Sequence, residues 1–420
     1  MSDRISNLRL RLQQLQSRFT WDLRVEDMDL DDINIRLEEH IELQGDAVAR
    51  SFSLLAYVRY LQGQPEEALS LLKQSEEKTK ECDGEEAERR LIVTYGDMAW
   101  LRFHAGDYTE AEEYCQRVED ILLNFPTDPA VLRPEVYGEK AWTYFMFSRS
   151  YYPKAIECFQ KALQLQNDDS EWNTGYAMVL QRTEERACEL SKQSEESAAV
   201  KQLRRALELD PDNGVLLCLL ALDLIPYKKH GEASGLMERA LRVNPDHPHV
   251  LRYIGKYYRK QGQIDEAIDL LKQALERTSQ SPFIHHQLAQ CYKTKKIEEQ
   301  KVNSTSVEHW RRLSIQHLEE AVKIRPSFVA ALADLALLYG EQKDLNRAEE
   351  LFQSGLKMLP VPEKYICTLF YQRYGDFHYY HTGNEADAIK YYTEALRFNS
   401  KSWEWSQCIK MLKKIAERRP

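Results

Sequence analysis

The sequence predicts an all-α protein made of stacked helical hairpins, and two observations lead to this prediction. The 420-residue chain contains only 16 Gly and 14 Pro, fewer than a loop-rich all-β protein or a disordered chain would carry. Small residues also recur at a fixed interval, with apolar residues between them at helical spacing. We therefore expect a helical repeat protein.

The repeat interval is 34 residues. Three sets of residues in the middle of the chain keep it: Pro211, Pro245 and Ser279; Ala199, Ala233 and Ala267; and Ala206, Ala240 and Ala274. Pro326 and Pro360 repeat the same step nearer the carboxyl end. This interval, with small residues at set positions, is the signature of the tetratricopeptide repeat. Since one hairpin cannot bury its own apolar face, the hairpins must stack into a superhelix, an α-solenoid.

One repeat shows why the small positions are needed. Leu251 and Ile254 lie on the apolar face of a first helix. Gly255 and Ala267 are small, so the two helices of the hairpin can approach closely. Gly262 is expected to end the first helix, because glycine readily takes the left-handed conformation found at helix ends.

The repeats and their irregularities organise the rest of the chain. We predict four parts: a helical cap at 1–48, repeats with insertions at 49–200, further repeats at 201–400 and a basic carboxyl-terminal helix at 401–420. Two polar stretches, 181–197 and 295–309, interrupt the regular spacing. They predict either extra helices between repeats, which would let the superhelix enclose a basic channel, or simple variation in loop length.

Composition excludes several classes of protein. The chain carries 57 Lys and Arg against 67 Asp and Glu, a formal net charge of −10, which excludes a nonspecific cationic coat for nucleic acid. We find no signal peptide and no run of about 18 apolar residues, so we expect a cytoplasmic protein. The eight cysteines are scattered singly, which is typical of reduced thiols.

No motif for catalysis or metal binding is found. The phosphate-binding loop, the zinc-protease motif and the hydrolase nucleophile motif are all missing, so we predict neither an enzyme nor a cofactor. His285 and His286 are adjacent, but no acidic or Cys partner follows at ligand spacing, and one of the two should face the core. We therefore predict no metal site.

Basic and polar residues form a stripe on two successive first helices. It comprises His249, Arg252, Lys256 and Arg259, then His286, Gln290 and Lys293 in the next repeat. In each helix the spacing places them on one face. From the residues alone three interpretations stay open: a solvated face, an anion site suited to phosphates, or a groove for an acidic peptide. The terminal helix is either a soluble cap or an extension of a nucleic-acid footprint, because it carries the basic residues Lys410, Lys413, Lys414, Arg418 and Arg419.

Several segments resemble the family of interferon-induced proteins with tetratricopeptide repeats. They are FTWDL at 19–23 followed by Glu26-Asp27, SLLAYVRYLQGQPEEAL at 53–69, GEKAW at 138–142, YYPKA at 151–155, WNTGYA at 172–177, VLRYIGKYYRK at 250–260 and FIHHQLAQCYK at 283–293. The resemblance covers essentially the whole chain, including its insertions. It implies a cytoplasmic antiviral effector that holds the 5′ end of non-self single-stranded RNA in a basic channel and blocks its translation.

The resemblance also implies a set of RNA-contacting residues. Matched position by position, they are Arg252, Tyr253, Lys256, Arg259, His286 and Gln287 near the leading nucleotides, Arg182 at the 5′ phosphates, and Tyr152 and Trp142 lining the chamber. The stripe found from residue spacing shares Arg252, Lys256, Arg259 and His286 with this set. The stripe also contains Lys293, which we add to the predicted RNA-binding residues.

The chain departs from the family pattern at three positions. Met146 stands where RNA-binding members carry a phosphate-contacting lysine, so one charged contact is missing. Arg36 and His40 stand where the family pocket has small polar residues, and Arg36 is a candidate to replace the lost charge. The other hypothesis is a scaffold that acts through protein partners, related family members among them, with little direct RNA binding.

Overall fold

The structure is a computed structural model that describes residues 2–43, 49–82, 84–126, 133–184, 195–278, 280–301, 305–359, 363–398 and 402–418. These residues form α-helices joined by turns and short 3₁₀ or π-helical segments, with no strand among them. The α-helices are α1 (Ser2–Gln14), α2 (Leu30–Leu43), α3 (Ala49–Leu61), α4 (Pro65–Cys82), α5 (Ala87–Arg90), α6 (Ile92–His104), α7 (Tyr108–Asn124), α8 (Pro134–Phe147), α9 (Tyr152–Leu165), α10 (Ser170–Thr183), α11 (Ala198–Leu209), α12 (Gly214–Leu224), α13 (His230–Val243), α14 (Pro248–Gln261), α15 (Ile264–Arg277), α16 (Pro282–Lys301), α17 (Val307–Ile324), α18 (Val329–Glu341), α19 (Leu345–Lys357), α20 (Lys364–Phe377), α21 (Glu385–Arg397) and α22 (Trp403–Ala416). The predicted all-α repeat fold is confirmed.

The chain forms two compact units. The first comprises residues 1–183 with 208–210, and the second comprises 184–207 with 211–420. None of the helices in the described part of the chain has both the length and the apolar character needed to span a bilayer.

The first unit contains the antiparallel hairpins α3–α4, α6–α7 and α8–α9. Arg18 lies in the connection between α1 and α2 and is almost fully buried. It anchors this connection on the first helix of each of the three hairpins. The Arg18 guanidinium pairs with Asp97 on α6 and with Glu139 on α8, and it donates to the Ser53 hydroxyl on α3. Phe19, in the FTWDL segment, packs against Trp100 on α6. One connecting segment thus ties three successive hairpins together.

The second unit contains the hairpins α12–α13, α14–α15, α16–α17, α18–α19 and α20–α21. In the α14–α15 hairpin, Gly262 ends α14 with φ of 84°, as predicted. A Cβ added at Gly255 would lie 2.7 Å from Leu271 Cγ on α15, so only glycine allows this close approach. Leu251 and Ile254 are both fully buried. The packing predicted for this repeat is therefore confirmed.

The stretch 295–309 differs from the expectation that it separates two repeats. Its first part continues α16 to Lys301 and its last residues begin α17 at Val307, while 302–304 lie outside the described residues. The insertion therefore lengthens both helices of one hairpin and adds no helix of its own. Next to the insertion, Tyr292 on α16 stacks on Trp310 of α17 with ring centroids 5.9 Å apart.

Some positions used in the sequence analysis lie outside the described residues. They are Ser279, Pro360, Arg419 and most of the other polar stretch, at 185–194. That stretch is bounded by α10, which ends at Thr183, and by α11, which begins at Ala198.

Candidate functional site

Aromatic and cationic side chains form a continuous row along one face of α8. Trp142 and Phe145 pack together with ring centroids 5.7 Å apart. The guanidinium carbon of Arg182 lies 4.7 Å from the Phe145 ring centroid, and its Nη1 donates to the Tyr152 hydroxyl at 3.4 Å. At the other end, the guanidinium carbon of Arg50 lies 3.8 Å from the Trp142 ring centroid. We call these five residues the α8 row, and it brings together three predicted site residues.

Four helices contribute to the α8 row. Arg50 comes from α3, Tyr152 from α9 and Arg182 from α10, and the two rings come from α8. Gly175 lets α10 approach, because a Cβ there would lie 2.4 Å from Phe159 and 2.7 Å from Trp142. The row therefore depends on how closely α10 packs on the α8–α9 hairpin.

Arg50 is a residue of this row that the sequence analysis does not find. Its side chain is 12% exposed and forms an ion pair with Glu171 on α10. Burial lowers the pKa of Arg50 to about 10, and the nearby Glu139 acts in the opposite direction. Arg50 thus stays protonated at neutral pH and holds a positive charge against the indole ring. No spacing pattern indicates this contact, because Arg50 and Trp142 are 92 positions apart in the sequence.

Arg36 lies beside Met146, the position where the resemblance implies a lysine in RNA-binding members. Its Nη2 donates to the carbonyl oxygen of Met146 at 3.0 Å, while its Nε pairs with Asp32 at 2.9 Å. The positive charge is therefore next to residue 146, but Asp32 balances it. His40, one turn further along α2, has its Nδ1 at 2.7 Å from the Ser51 hydroxyl of α3.

In the second unit, the stripe on α14 contacts aromatic rings and α16. The Arg252 guanidinium carbon lies 4.9 Å from the Tyr253 ring centroid and 5.5 Å from that of Phe283. The Nη2 of Arg259 donates to Gln287 Oε1 at 3.3 Å, and burial lowers the pKa of Arg259. The predicted residues of this helix are all half-buried: Arg252, Tyr253, Lys256 and Arg259. A cation beside an aromatic ring can bind a phosphate group while the ring stacks on a base.

Asp334 on α18 is a buried carboxylate that contacts the polar residues predicted as a stripe on α16. Asp334 Oδ1 accepts from Lys293 Nζ at 3.0 Å and lies 3.4 Å from Nε of Arg373 on α20. Its Oδ2 accepts from Gln290 Nε2 at 2.7 Å and lies 3.2 Å from His286 Nε2. Four polar groups surround the carboxylate, which is as many as its oxygens can accept. We call this set the Asp334 cluster.

The ion pairs of the Asp334 cluster set its protonation. Burial alone would raise the pKa of Asp334, but Lys293, His286 and Arg373 outweigh it, so the pKa lies well below the usual value. Burial lowers the pKa of Lys293, and Asp334 offsets part of that effect. The cluster therefore places Lys293 and Arg373 against the single carboxylate of Asp334.

The predicted contacts His286 and Lys293 are thus both partnered inside the second unit. Sequence analysis missed Asp334 and Arg373, although one signal was available. Asp334 interrupts the apolar run VAALADLALLYG, and a carboxylate in such a run must find partners once it is buried. Nothing in the sequence identifies which partners those are.

The adjacent histidines point in different directions. His285 is buried, and its Nδ1 lies 2.9 Å from Nδ1 of His317 on α17, so the prediction that one of the pair faces the core is confirmed. Across the described ranges, no group of three or more His, Cys, Asp or Glu side chains is placed to hold a metal ion.

The basic segment of α22 and the residues just after it contact the π-helical turn at His378–Thr382, which follows α20. Lys410 and Lys414 are exposed, and the Lys414 ammonium lies 5.6 Å from the Tyr379 ring centroid. Arg418 Nη1 donates to the Tyr379 hydroxyl at 2.6 Å.

Comparison with known protein families also identifies tetratricopeptide repeats in this chain. Family models described as tetratricopeptide repeat match residues 47–124 and 229–282. The antiviral innate immune response effector IFIT1 of Macaca fascicularis is 35% identical over 416 residues, which is 96% of this chain and 86% of that protein. The interferon-induced protein with tetratricopeptide repeats 2 of Homo sapiens is 31% identical, over 99% of this chain and 88% of that protein.

The fold is also similar to solved structures. A monomeric mutant of IFIT1 with Gppp-AAAA has a TM-score of 0.86 at 32% identity, over 98% of this chain and 92% of that chain. The human IFIT1 dimer with PPP-AAAA has a TM-score of 0.83 at 33% identity, over 98% of this chain and 91% of that chain. With identity above 30% along nearly its whole length, the chain belongs to the family of interferon-induced proteins with tetratricopeptide repeats.

Proposed function

We propose that this protein is a non-enzymatic antiviral effector that binds the 5′ end of non-self single-stranded RNA in the cytoplasm and blocks its translation. The observation that carries the proposal is the α8 row, in which Arg182 is exposed and lies against Phe145 and the Tyr152 hydroxyl. A guanidinium binds phosphate oxygens through paired donors, and an adjacent hydroxyl adds another. IFIT1 structures with PPP-AAAA and with Gppp-AAAA support RNA as the ligand.

The second unit supplies contacts of the same kind. Arg252 and Lys256 lie on one face of α14, and Tyr253 and Phe283 provide aromatic rings beside Arg252. Single-stranded RNA is typically bound by such a combination, since the cations follow the backbone and the rings stack on bases. We propose that this face also binds RNA.

Binding of short RNAs to variants of each unit tests the proposal. We expect a triphosphate RNA of sequence AAAA to bind the wild type, and Arg182→Glu to weaken it at least tenfold. Arg252→Glu with Lys256→Glu should weaken it by a similar factor. Lys323→Glu changes an exposed lysine of the second unit that pairs with Glu320, and it should leave the affinity within about twofold.

Two outcomes would overturn the proposal. One is the absence of affinity for triphosphate, monophosphate and capped RNA. The other is an affinity that the Arg182 and Arg252/Lys256 variants leave unchanged. Protein partners that remain bound after nuclease treatment, without crosslinked RNA, would then favour the scaffold function.

A further inference from the structure

The indole ring of Trp142 is enclosed by side chains of its own unit. It is 6% exposed, and the guanidinium carbon of Arg50 lies 3.8 Å from its ring centroid, which is stacking distance. Phe145 and Phe159 meet the indole at interplanar angles of 61° and 87°. Gly175 packs against its edge. A further planar ring can stack on this indole only by displacing one of these groups.

Arg50 is the group in that enclosure with both charge and planarity. Its guanidinium is paired with Glu171, and Glu171 in turn pairs with Arg90. It therefore occupies the ring-sized space over the indole and holds a positive charge there. Arg182 places a further guanidinium against Phe145, which packs on Trp142, and Arg36 donates to the Met146 carbonyl oxygen of α8.

The chemistry of RNA 5′ ends gives this arrangement a consequence. An uncapped end finishes in phosphates, whereas a capped end carries a guanine beyond them. A bare aromatic ring favours a capped end, because the terminal base can stack on it. A guanidinium over that ring favours a terminal phosphate and obstructs the base. Methylation of the guanine at N7 makes the cap cationic, so the guanidinium also repels it.

We infer that Arg50 is a specificity-determining residue that makes this protein select RNA with a free 5′ phosphate over RNA with a 5′ guanine cap. This inference rests on the proposed function, since it concerns which 5′ end the α8 row accepts. It assigns to Arg50 the discrimination that Met146, an uncharged residue, does not provide.

Affinities for PPP-AAAA, Gppp-AAAA and m7Gppp-AAAA, measured on the full chain, test the inference. The wild type should prefer PPP-AAAA by about tenfold or more, with m7Gppp-AAAA the weakest ligand. Arg50→Ala uncovers the indole and removes the charge, so the preference should fall to threefold or less. Arg50→Lys retains the charge but not the planar group, so it should keep the affinity for PPP-AAAA and gain affinity for Gppp-AAAA.

Arg59→Ala is the matched control. Arg59 lies on the same helix, its side chain is 16% exposed and it is ion-paired with Glu38 and Glu67, so its loss should leave the ratio of affinities unchanged. Arg50→Lys keeps a cation in place for Glu171 and so tests the inference if Arg50→Ala proves unstable in a thermal melt.

The outcomes separate this inference from the proposed function. If none of the three RNAs binds the wild type, the proposed function fails, and the inference fails with it. If the RNAs bind but Arg50→Ala and Arg50→Lys leave their ratio unchanged, the inference alone is overturned. A wild type that prefers capped RNA also overturns it.

Discussion

Asp334 shows how a single residue organises the inner polar groups of the second unit. Its carboxylate is 6% exposed and contacts side chains from α16 and α20. A buried ion pair adds little stability by itself, because desolvation of the two charges offsets their attraction. Removing one partner is costly, however, since the others stay buried without compensation.

We predict that Asp334→Asn lowers the free energy of unfolding by about 3 kcal/mol. The amide keeps the shape of the carboxylate, but it removes the negative charge that pairs with Lys293 and Arg373. Urea unfolding at neutral pH measures the change. Asp212→Asn is the control, because Asp212 is 71% exposed and pairs with Arg239 on the surface, where such a change costs at most about 1 kcal/mol. Equal losses for the two variants would contradict the assigned role.

At the scale of elements, the approach of α10 to the α8–α9 hairpin depends on Gly175. We predict that Gly175→Ala destabilises the protein by about 2 kcal/mol, because the added methyl group overlaps both Phe159 and Trp142. The displaced indole should also weaken RNA binding. Thermal melting and RNA titration of one preparation measure both effects.

Gly235→Ala is the matched control for that prediction. Gly235 lies within α13, and a Cβ there has no neighbour within 4 Å. Alanine has the higher helix propensity, so this change should stabilise the protein by roughly 0.5–1 kcal/mol. If Gly175→Ala were equally well tolerated, α10 would not be packed as closely as described.

The contact between α16 and α17 predicts a pH dependence. His285 and His317 face each other through Nδ1 atoms 2.9 Å apart, an arrangement that holds one proton and not two. Burial, then His285 and Lys272, lower the pKa of His317 to about 4, with Glu320 acting in the opposite direction. Since the unfolded chain binds this proton near pH 6.5, stability is full above that pH and falls as the pH drops towards 4.

We expect His317→Phe to remove this contribution to the pH dependence of stability. Between pH 8 and pH 5 the wild type should lose about 2 kcal/mol more stability than the variant, from a difference of about 1.5 pH units below the unfolded pKa. Urea unfolding at several pH values measures the difference. His309→Phe, an exposed histidine of the same helix, should keep the pH dependence of the wild type. Parallel curves for the wild type and His317→Phe would contradict the assignment.

At the scale of the whole molecule, the net charge of −10 conceals local cationic sites. We predict that RNA affinity falls steeply with salt although the protein is acidic, because bound phosphates release counterions locally. Each lost phosphate contact should reduce the slope of log affinity against log salt by about 0.7. RNA titrations of the wild type, Arg182→Ala and Lys323→Ala at salt concentrations from about 50 to about 300 mM measure this slope. The slope should decrease for Arg182→Ala alone.

Much of the fold was predictable because its signals are local. The 34-residue interval, Gly255 and Gly262 reflect contacts inside one hairpin, where spacing along the chain is spacing in the structure. The placement of the 295–309 insertion was wrong for a related reason. Its polar composition suggested a connection between repeats, whereas residues 295–301 continue α16 and residues 307–309 begin α17.

The sequence by itself determined the repeat architecture, the family and the cationic stripe of α14, since each depends on residues close together in the chain or on whole-length similarity. Only the tertiary structure decided which charges have partners. Asp334 collects its donors from α16 and α20, and Arg50 meets Trp142 from another hairpin. Such contacts join residues that no periodicity relates, because the energy of a buried charge depends on what surrounds it in space and not on its neighbours in sequence.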